Sequence, residues 1–445
     1  MNKKLILLTI FLLVSSIQTG FAQNRIYPVV SGLNVRNLPS TKSRIITKLP
    51  ILRWVATTID EKGWTKISLP SGKTGYVYTQ LTSDMWIKVI KKERKLYLLK
   101  GDTIKAEYPI ALGGNPLDDK NIQGDESTPE GRFFICEMIK KPKNRGRYGA
   151  RSMRISYPNI EDARRGLKQK LITKSEYRSI VRQVSKAKMP PQTTALGGSI
   201  RIHGGGAGQD WTLGCIAMHD KDIIDLYERL PEKNTLVEIY KDSQADAAFN
   251  RKGYLNEKSF EGAKKLLKAG CKYTTSATAL IKMDYPEGDI DPGIGVCTDV
   301  VIRALRNGGI DLQALLYEDI IMNPGRYPAI SKPNTNIDHR RTRNLKIWFD
   351  HHARVLKTVQ PSSADSKSFW LPGDIVIMDT GVANGTPFDH IGIVSDKKTL
   401  GIPLVINLWT IGWDIKNMNL LTGVYPTING HYRLLHPFDY AASIH

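Results

Sequence analysis

The pattern of apolar residues changes character twice along the chain of 445 residues, and this constrains the fold more than any single motif. Residues 23–85 alternate short strand signals with turn residues, and residues 86–242 combine strand signals with an amphipathic helix. Residues 243–445 begin with helices and continue with strands. A chain of this length also exceeds one ordinary core, because domains usually hold about 100–200 residues. We therefore predict a multidomain fold: a small all-β domain, a mostly-β domain and an α+β domain.

The first residues of the chain have the pattern of an export signal. Lys3 and Lys4 precede an apolar run over residues 5–17, and Gly20 and Ala22 form a small-x-small site. This arrangement predicts a secretory signal peptide over residues 1–22. The apolar run is shorter than the ~20 residues that a membrane span needs, which weakens the alternative of a membrane anchor. We expect a secreted protein of the periplasm or cell wall, with no stable membrane insertion.

The charge of the chain predicts an anionic partner. Lysine and arginine outnumber aspartate and glutamate by 64 to 43, which gives a formal net charge of +21. Such an excess favours nucleic acid, a membrane surface or an acidic polymer such as a cell wall. Export and the lack of a recognition motif argue against nucleic acid. The charged fraction of 24% and the apolar fraction of 41% exclude a disordered or coiled-coil chain.

Apolar spacing predicts several individual elements. Positions 177, 180, 181 and 184 fall on one face of a helix that we expect over residues 175–188. Similar patterns predict helices over 260–269 and 297–307, and strands over 374–378, 390–394 and 404–407.

The N-terminal domain carries three short motifs separated by turn residues. They are LNVRNLPS at 33–40, GW at 63–64 and GYV at 75–77. Together they resemble bacterial SH3-like domains. That resemblance implies a small all-β barrel that targets or positions the protein at the cell wall. A rigid structural spacer is the alternative.

The first chemical constellation pairs His203 with Cys215, one of only four cysteines in the chain. Three glycines follow His203, and Gly214 precedes the cysteine. A thiolate nucleophile needs a base within hydrogen-bond reach and donors for the oxyanion, and this pattern can supply both. A buried core cysteine is the alternative. A lipase-type loop would need a G-x-S-x-G elbow and a phosphate loop a following Lys-Ser/Thr, and the chain has neither.

The motif HG…TLGCI resembles the active site of the L,D-transpeptidase catalytic domain of YkuD type, and the resemblance runs over about 87–240. It implies that Cys215 is the nucleophile, that His203 is its base, and that the backbone N–H groups of Gly214 and Cys215 bind the oxyanion. It also places Thr212 at a substrate-binding position where the family often has serine. Ala217 departs from the arginine of many members and resembles a branch that contains hydrolases. Transfer and hydrolysis therefore both stay open at Cys215.

The second constellation begins with Cys297 at the start of a predicted helix. A helix N-terminus stabilises a thiolate. His390 lies on a later predicted strand, and Asn407 lies on the next strand. This order of cysteine, histidine and a polar residue is papain-like, with His390 as base and Asn407 orienting it. A structural core histidine is the alternative.

Residues 258–440 resemble an uncharacterised bacterial domain family that is similar to NlpC-type papain-like peptidases. The resemblance rests on YPEGD at 285–289, GVCTD at 295–299, IDLQ at 310–313, NIDHRR at 336–341 and HIGIVS at 390–395. It implies a cysteine peptidase or amidase fold. It further implies that four matching residues line the site: Asp299, Asp338, His339 and Arg340. Their roles do not transfer.

These observations predict an exported peptidoglycan-remodelling enzyme with two thiol sites that act on stem peptides. No C-x-x-C, H-E-x-x-H or EF-hand pattern is present, so we expect no metal and no cofactor. A non-catalytic wall-binding scaffold is the alternative. The bond that Cys297 cleaves, the activity of each site, the oligomeric state and the domain arrangement stay open.

Overall fold

The computed structural model describes residues 25–69, 73–231, 234–244, 254–274, 291–308, 310–361, 369–409, 414–423 and 426–434. The predicted signal peptide and most of the linker between the second and third predicted domains lie outside these residues. Within the described ranges, no helix combines the length and apolar character needed to cross a bilayer.

The N-terminal unit is built from short strands that alternate buried and half-exposed side chains. Its strands are β1 Arg25–Pro28, β2 Leu33–Arg36, β3 Ile45–Leu49, β4 Val55–Glu61, β5 Trp64–Ser68, β6 Thr74–Tyr78 and β7 Thr82–Ser83, with a 3₁₀ turn at Thr79–Leu81. They form a sheet in the order β3-β2-β6-β5-β4-β1-β7. Val35, Ile67 and Val77 lie in its core. A Cβ at position 75 would lie 2.5 Å from the side chain of Val35, so the core leaves room only for glycine there.

The central unit is an eight-stranded sheet with helices beside it. Its strands are β8 Met85–Ile90, β9 Lys95–Lys100, β10 Thr103–Pro109, β11 Gly131–Ile139, β12 Ser152–Ile155, β13 Arg201–His203, β14 Ile216–Ala217 and β15 Leu236–Tyr240. Its helices are α1 Arg145–Tyr148, α2 Ile160–Lys168, α3 Lys174–Ser185 and α4 Asp220–Arg229. The sheet order is β10-β9-β8-β15-β11-β12-β13-β14, so β13 and β14 lie at one edge.

The C-terminal unit places helices on one face of a six-stranded sheet. Its helices are α5 Tyr254–Ala269, α6 Cys297–Asn307, α7 Leu312–Met322 and α8 Thr342–His352, with 3₁₀ turns at Pro324–Arg326 and Asp338–Arg340. Its strands are β16 Lys272–Tyr273, β17 Ile294–Gly295, β18 Arg354–Val355, β19 Ile375–Asp379, β20 His390–Thr399, β21 Ile402–Asn407, β22 Lys416–Met418 and β23 Thr427–Arg433. The sheet order is β18-β23-β19-β20-β21-β22, and β16 pairs with β17.

Alternate residues of β20 pack into two different hydrophobic cores of this unit. Ile391 and Ile393 pack with the helices, whereas Val394 packs in a second cluster with Val376 and Val405. Successive side chains of a strand point to opposite faces of its sheet. The sheet therefore separates the helical core from a smaller core.

The three units contact one another through both apolar and polar side chains. Trp54 of the N-terminal unit packs edge-on against Trp86 of the central unit, with ring centroids 5.9 Å apart. Arg164 on α2 pairs with Glu318 on α7 at 2.5 Å, and both side chains are almost fully buried. These contacts fix how the units are arranged, which the sequence left open.

Candidate active sites

The parallel pair β13–β14 brings the first predicted site together. Ile202 lies opposite Ile216, and His203 lies opposite Ala217. Cys215 directly precedes β14, so the period of two places its side chain on the same side as those of Ala217 and His203. The local fold thus gathers the histidine and the cysteine at one sheet edge.

Cys215 is buried, with 8% of its surface exposed. Burial raises the pKa of its thiol, and a hydrogen bond from the backbone of Arg201 offsets part of this rise. Its Sγ lies 3.8 Å from the carbonyl oxygen of Ser199, to which a thiol can donate. The resting form is therefore the thiol, and ionisation requires a base.

His203 has the tautomer that such a base needs. Its Nδ1 lies 2.6 Å from the carbonyl oxygen of Gly204. A carbonyl only accepts, so Nδ1 donates and the lone pair of the neutral ring is on Nε2. Burial lowers the pKa of His203 to about 4, which keeps the ring neutral near pH 7. The rings of Tyr148 and Trp211 pack edge-on against the imidazole at 5.3 and 5.7 Å.

The turn before Cys215 depends on Gly214 and Thr212. Gly214 has a φ of +110°, and a Cβ there would lie 2.5 Å from the carbonyl oxygen of Ser127. The Thr212 hydroxyl accepts from the Gly214 N–H at 3.2 Å and donates to the Cys215 carbonyl at 2.7 Å. Thr212 therefore fixes the turn, and the Gly214 N–H that was predicted for the oxyanion is engaged by this hydroxyl.

Two carboxylates that the sequence reasoning missed support this edge. Asp220 accepts from the N–H groups of Ala150 at 2.9 Å and Gly205 at 3.1 Å, which holds the loop after His203. Asp210 accepts from the Leu112 N–H at 2.8 Å and pairs with Arg94 at 2.7 Å. Of these two carboxylates, only Asp220 had a sequence signal, its position in the first turn of a helix, where acidic residues are favoured.

The start of α6 carries the second predicted nucleophile, Cys297. Asp299 accepts from the N–H of Val296 at 2.8 Å and so caps the helix beside the cysteine. The same carboxylate receives two hydrogen bonds from Arg340, at 3.0 and 2.6 Å. The Asp299 and Arg340 side chains are only 3% and 5% exposed. These two residues, predicted to line the site, form a buried ion pair that holds the helix start.

The Cys297 sulfur lies against the backbone of β20. The N–H of Ile391 and the hydroxyl of Thr342 interact with it, and both favour its ionised form. Burial outweighs them and raises the pKa of Cys297 to about 11. Cys297 is therefore also a thiol at rest.

His390 and Asn407 lie together as the sequence predicts. His390 Nε2 lies 3.1 Å from Asn407 Oδ1, and Asn407 Nδ2 donates to the carbonyl of Val405 at 3.1 Å. Since this orients Oδ1 as the acceptor, His390 donates through Nε2 and keeps its lone pair on Nδ1. Burial lowers the pKa of His390 to about 4. Trp409, which the sequence reasoning missed, covers the ring at 4.5 Å; it lies two residues after Asn407.

The Cys297 sulfur contacts the backbone N–H of Ile391, the residue directly after His390. The structure therefore brings this cysteine next to the backbone of the predicted base. The His390 imidazole lies on the side of β20 that also carries Val394, whereas Ile391 faces the helices. Among the described residues, neither imidazole is hydrogen-bonded to the sulfur of its predicted partner cysteine.

Asp338 and His339, the two other residues predicted to line this site, are buried in the turn Asp338–Arg340. This turn packs against α6, α7 and α8. Asp338 accepts from the N–H of Asn334 at 2.7 Å. Burial lowers the pKa of His339 to about 4, and its Nδ1 has no hydrogen-bond partner among the described residues. Within the same ranges, no group of three or more histidine, cysteine, aspartate or glutamate side chains is arranged to hold a metal ion.

Two family models match separate parts of this chain. Residues 84–239 match the L,D-transpeptidase catalytic domain, and residues 260–434 match a domain of unknown function, DUF1287. The central unit is therefore an L,D-transpeptidase catalytic domain, and this match agrees with the expectation drawn from its motifs.

One curated relative extends the comparison. The uncharacterized protein YijF of Escherichia coli (strain K12) is 40% identical over 161 residues, which cover 35% of this chain and 71% of YijF. The chain belongs to the family of YijF.

Solved structures give more distant likenesses. Bd1075 of Bdellovibrio bacteriovorus is 20% identical, with 41% of this chain and 62% of that chain covered and a TM-score of 0.25. This chain thus spans less than two thirds of Bd1075. The helical cell shape determining protein Pgp2 of Campylobacter jejuni is 12% identical, with 78% and 90% covered and a TM-score of 0.27. L,D-transpeptidase 1 of Mycobacterium tuberculosis is 11% identical, with 42% and 76% covered and a TM-score of 0.21.

Proposed function

We propose that the chain is an exported peptidoglycan-remodelling enzyme in which Cys215 transfers acyl groups of stem peptides. The observation that carries this proposal is the hydrogen bond from His203 Nδ1 to Gly204, because it leaves Nε2 as a neutral base at the edge that carries Cys215. The family of the central unit supports the same chemistry. In this proposal the N-terminal unit is an SH3-like module that positions the enzyme at the wall.

The proposed reaction begins with proton transfer from Cys215 Sγ to His203 Nε2. The sulfur attacks the carbonyl of the diamino acid, and the Cys215 N–H stabilises the oxyanion. The C–N bond then breaks, and the imidazolium protonates the leaving amine. The amine of a second stem resolves the thioester into a crosslink, or water resolves it into a cleaved peptide.

Product analysis tests the proposal. Purified sacculi are treated with the wild type and with Cys215→Ala, and the muropeptides are resolved by mass. We expect Cys215→Ala to abolish both L,D-crosslinked and L,D-cleaved products, and the ratio of these products in the wild type decides between transfer and hydrolysis. Identical products from both proteins would overturn the proposal.

A second hydrolase centre at Cys297 is the further candidate function. The contact of His390 Nε2 with Asn407 favours it, since it leaves Nδ1 of the neutral ring as a proton acceptor, and the ring would turn from its present side of β20 to reach the Cys297 sulfur. In this proposal Cys297 cleaves an amide or peptide bond of the stem. Cys297→Ala should remove products that Cys215→Ala leaves intact.

The competing hypothesis is a wall-binding scaffold without catalysis. A thiol-reactive mimic of the stem peptide separates the two, because a catalytic thiol is labelled faster when its base removes the proton. Labelling of neither cysteine under reducing conditions would favour the scaffold.

A further inference from the structure

A cavity of about 600 Å³ lies between the N-terminal and C-terminal units. Strand β3 and the start of β6 form one wall, and the turn Pro324–Arg326 and the end of α8 form the other. This volume is in the range of sites for small ligands. None of the residues proposed for the two thiol sites lines it.

The lining of this cavity is strongly basic. It contains one carboxylate, Asp350, which already accepts from Lys346 at 2.8 Å and from Tyr432 at 2.7 Å. The cationic side chains of the lining are Arg44, Lys48, Arg53, Lys73 and Arg326. The cavity therefore has a positive potential that an anionic ligand would neutralise.

Contacts between the two units hold the inner arginines. Arg326 donates to the Thr47 hydroxyl at 2.6 Å and pairs with Asp319 at 3.0 Å. Arg53, which is 7% exposed, donates to Nδ1 of His352 at 3.0 Å. Because the Arg326–Thr47 and Arg53–His352 contacts cross from one unit to the other, the shape of the cavity depends on the arrangement of both.

The outer cations face solvent. Arg44, Lys48 and Lys73 are exposed, and no carboxylate of the described residues forms an ion pair with them. Exposed cations without partners can bind an anion without first breaking an internal ion pair. These three side chains are therefore the part of the cavity available to a ligand.

Helix α8 connects this cavity to the second thiol. Its first residue, Thr342, contacts the Cys297 sulfur, and its last residues, Asp350 to His352, line the cavity. Eleven helical residues span roughly 15 Å at 1.5 Å per residue. The cavity therefore lies about 15 Å along this helix from the residue that contacts the Cys297 sulfur.

We propose that this cavity is a binding site for a peptide that carries several carboxylates, and specifically for a stem peptide of the wall polymer. It holds one stem while Cys297 acts on another part of the polymer. The ligand identity rests on the proposed function, whereas the preference for a polyanion rests on the lining alone.

The test is a binding measurement on the full chain with both Cys215→Ala and Cys297→Ala, so that no turnover intervenes. The probe is a soluble disaccharide tetrapeptide. Adding Arg44→Glu, Lys48→Glu and Lys73→Glu should raise its Kd at least about tenfold, a loss of about 1.4 kcal/mol. It should also remove most of the salt dependence of binding.

A matched control reverses three exposed lysines outside the cavity: Lys42→Glu, Lys105→Glu and Lys143→Glu. Both variants reverse three positive charges, so their net charges change equally, and the Kd of the control should change less than twofold. An equal loss in both variants, or a loss in neither, would overturn the cavity site.

Two further probes identify the ligand. The same tetrapeptide with its carboxylates amidated should not bind, whereas inorganic polyphosphate, which shares the negative charge, should compete with the unmodified peptide. Equal binding of the amidated peptide, or binding of polyphosphate alone, would overturn a stem-peptide ligand. The proposed function fails separately, through unchanged muropeptide products in the cysteine variants.

Discussion

At the scale of single residues, both proposed thiol sites are neutral at rest. Burial raises the pKa of Cys215 and Cys297 and lowers the pKa of His203 and His390. Neither site is therefore a preformed thiolate–imidazolium pair, and the proton must move when the substrate arrives.

This predicts an unusual pH profile. Because His203 has a pKa of about 4, it stays a proton acceptor well below the ordinary value for histidine. We expect the acidic limb of kcat/KM for the Cys215 reaction to fall near pH 4 to 5, measured on a soluble tetrapeptide. Half-maximal activity near pH 6.5 would contradict the neutral, buried histidine.

The same histidine affects stability. Its folded-state pKa lies below the unfolded value of about 6.5. The unfolded chain therefore binds the proton first, and the contribution to the unfolding free energy is present above pH 6.5 and is lost as the pH falls toward 4. His203→Gln should flatten this part of the pH dependence.

Thr212 offers a test of positioning by one hydroxyl. Thr212→Val removes both hydrogen bonds that fix the turn before Cys215. A small displacement of a nucleophile costs up to about 100-fold in rate, so we expect kcat to fall between tenfold and 100-fold. Thr212→Ser keeps the hydroxyl and should retain most activity; an equal fall in both variants would contradict this role.

At the scale of elements, the buried pair of Asp299 and Arg340 holds the start of α6. Arg340→Ala leaves the Asp299 carboxylate buried without its partner, which costs about 3–5 kcal/mol in unfolding free energy. We expect a lower Tm and faster alkylation of Cys297. The neighbouring exposed Arg341→Ala is the matched control and should change little.

The sequence predicted the periodic elements well. The helix expected over 297–307 is α6 itself, and the one expected over 175–188 is α3, which ends at Ser185. The helix expected over 260–269 begins earlier, at Tyr254, because the buried Leu255 and the half-exposed Phe260 both pack into the core. Strand β20 continues to Thr399, past the predicted Val394, through a shift in its register with β21.

The sequence could not predict contacts made across elements. Asp220 with Gly205, Asp210 with Arg94 and Asp299 with Arg340 each join segments that are brought together only by the fold. Motifs therefore predicted candidate reacting groups, whereas the sequence did not indicate the side chains that hold them in place. The roles of the predicted site residues stay predictions.

At the scale of the whole molecule, a buried acidic group lies where the central and C-terminal units meet. Glu161 is adjacent to the Arg164–Glu318 pair, and its Oε1 has no hydrogen-bond partner among the described residues. Burial raises the pKa of Glu161 to about 8. The folded state thus favours the protonated carboxyl.

The sign of this shift gives a prediction. A raised folded-state pKa stabilises the fold fully below the unfolded value of about 4.5, and this stabilisation is lost as the pH rises toward 8. Glu161→Gln should raise Tm by a few degrees at pH 8 relative to the wild type, with a smaller effect at pH 5, since about 1.4 kcal/mol corresponds to each unit of pKa. The exposed Glu61→Gln is the control and should leave both values unchanged.

The two histidines hold their protons on opposite nitrogens, Nδ1 in His203 and Nε2 in His390. Nitrogen-15 NMR separates these two tautomers by chemical shift, so one spectrum of the resting protein would monitor both centres independently. In the proposed mechanisms the nitrogen that accepts the thiol proton therefore differs, Nε2 in His203 and Nδ1 in His390. A reagent whose binding changes the nitrogen-15 shifts of one histidine and leaves those of the other unchanged would thus be assigned to one half of the protein.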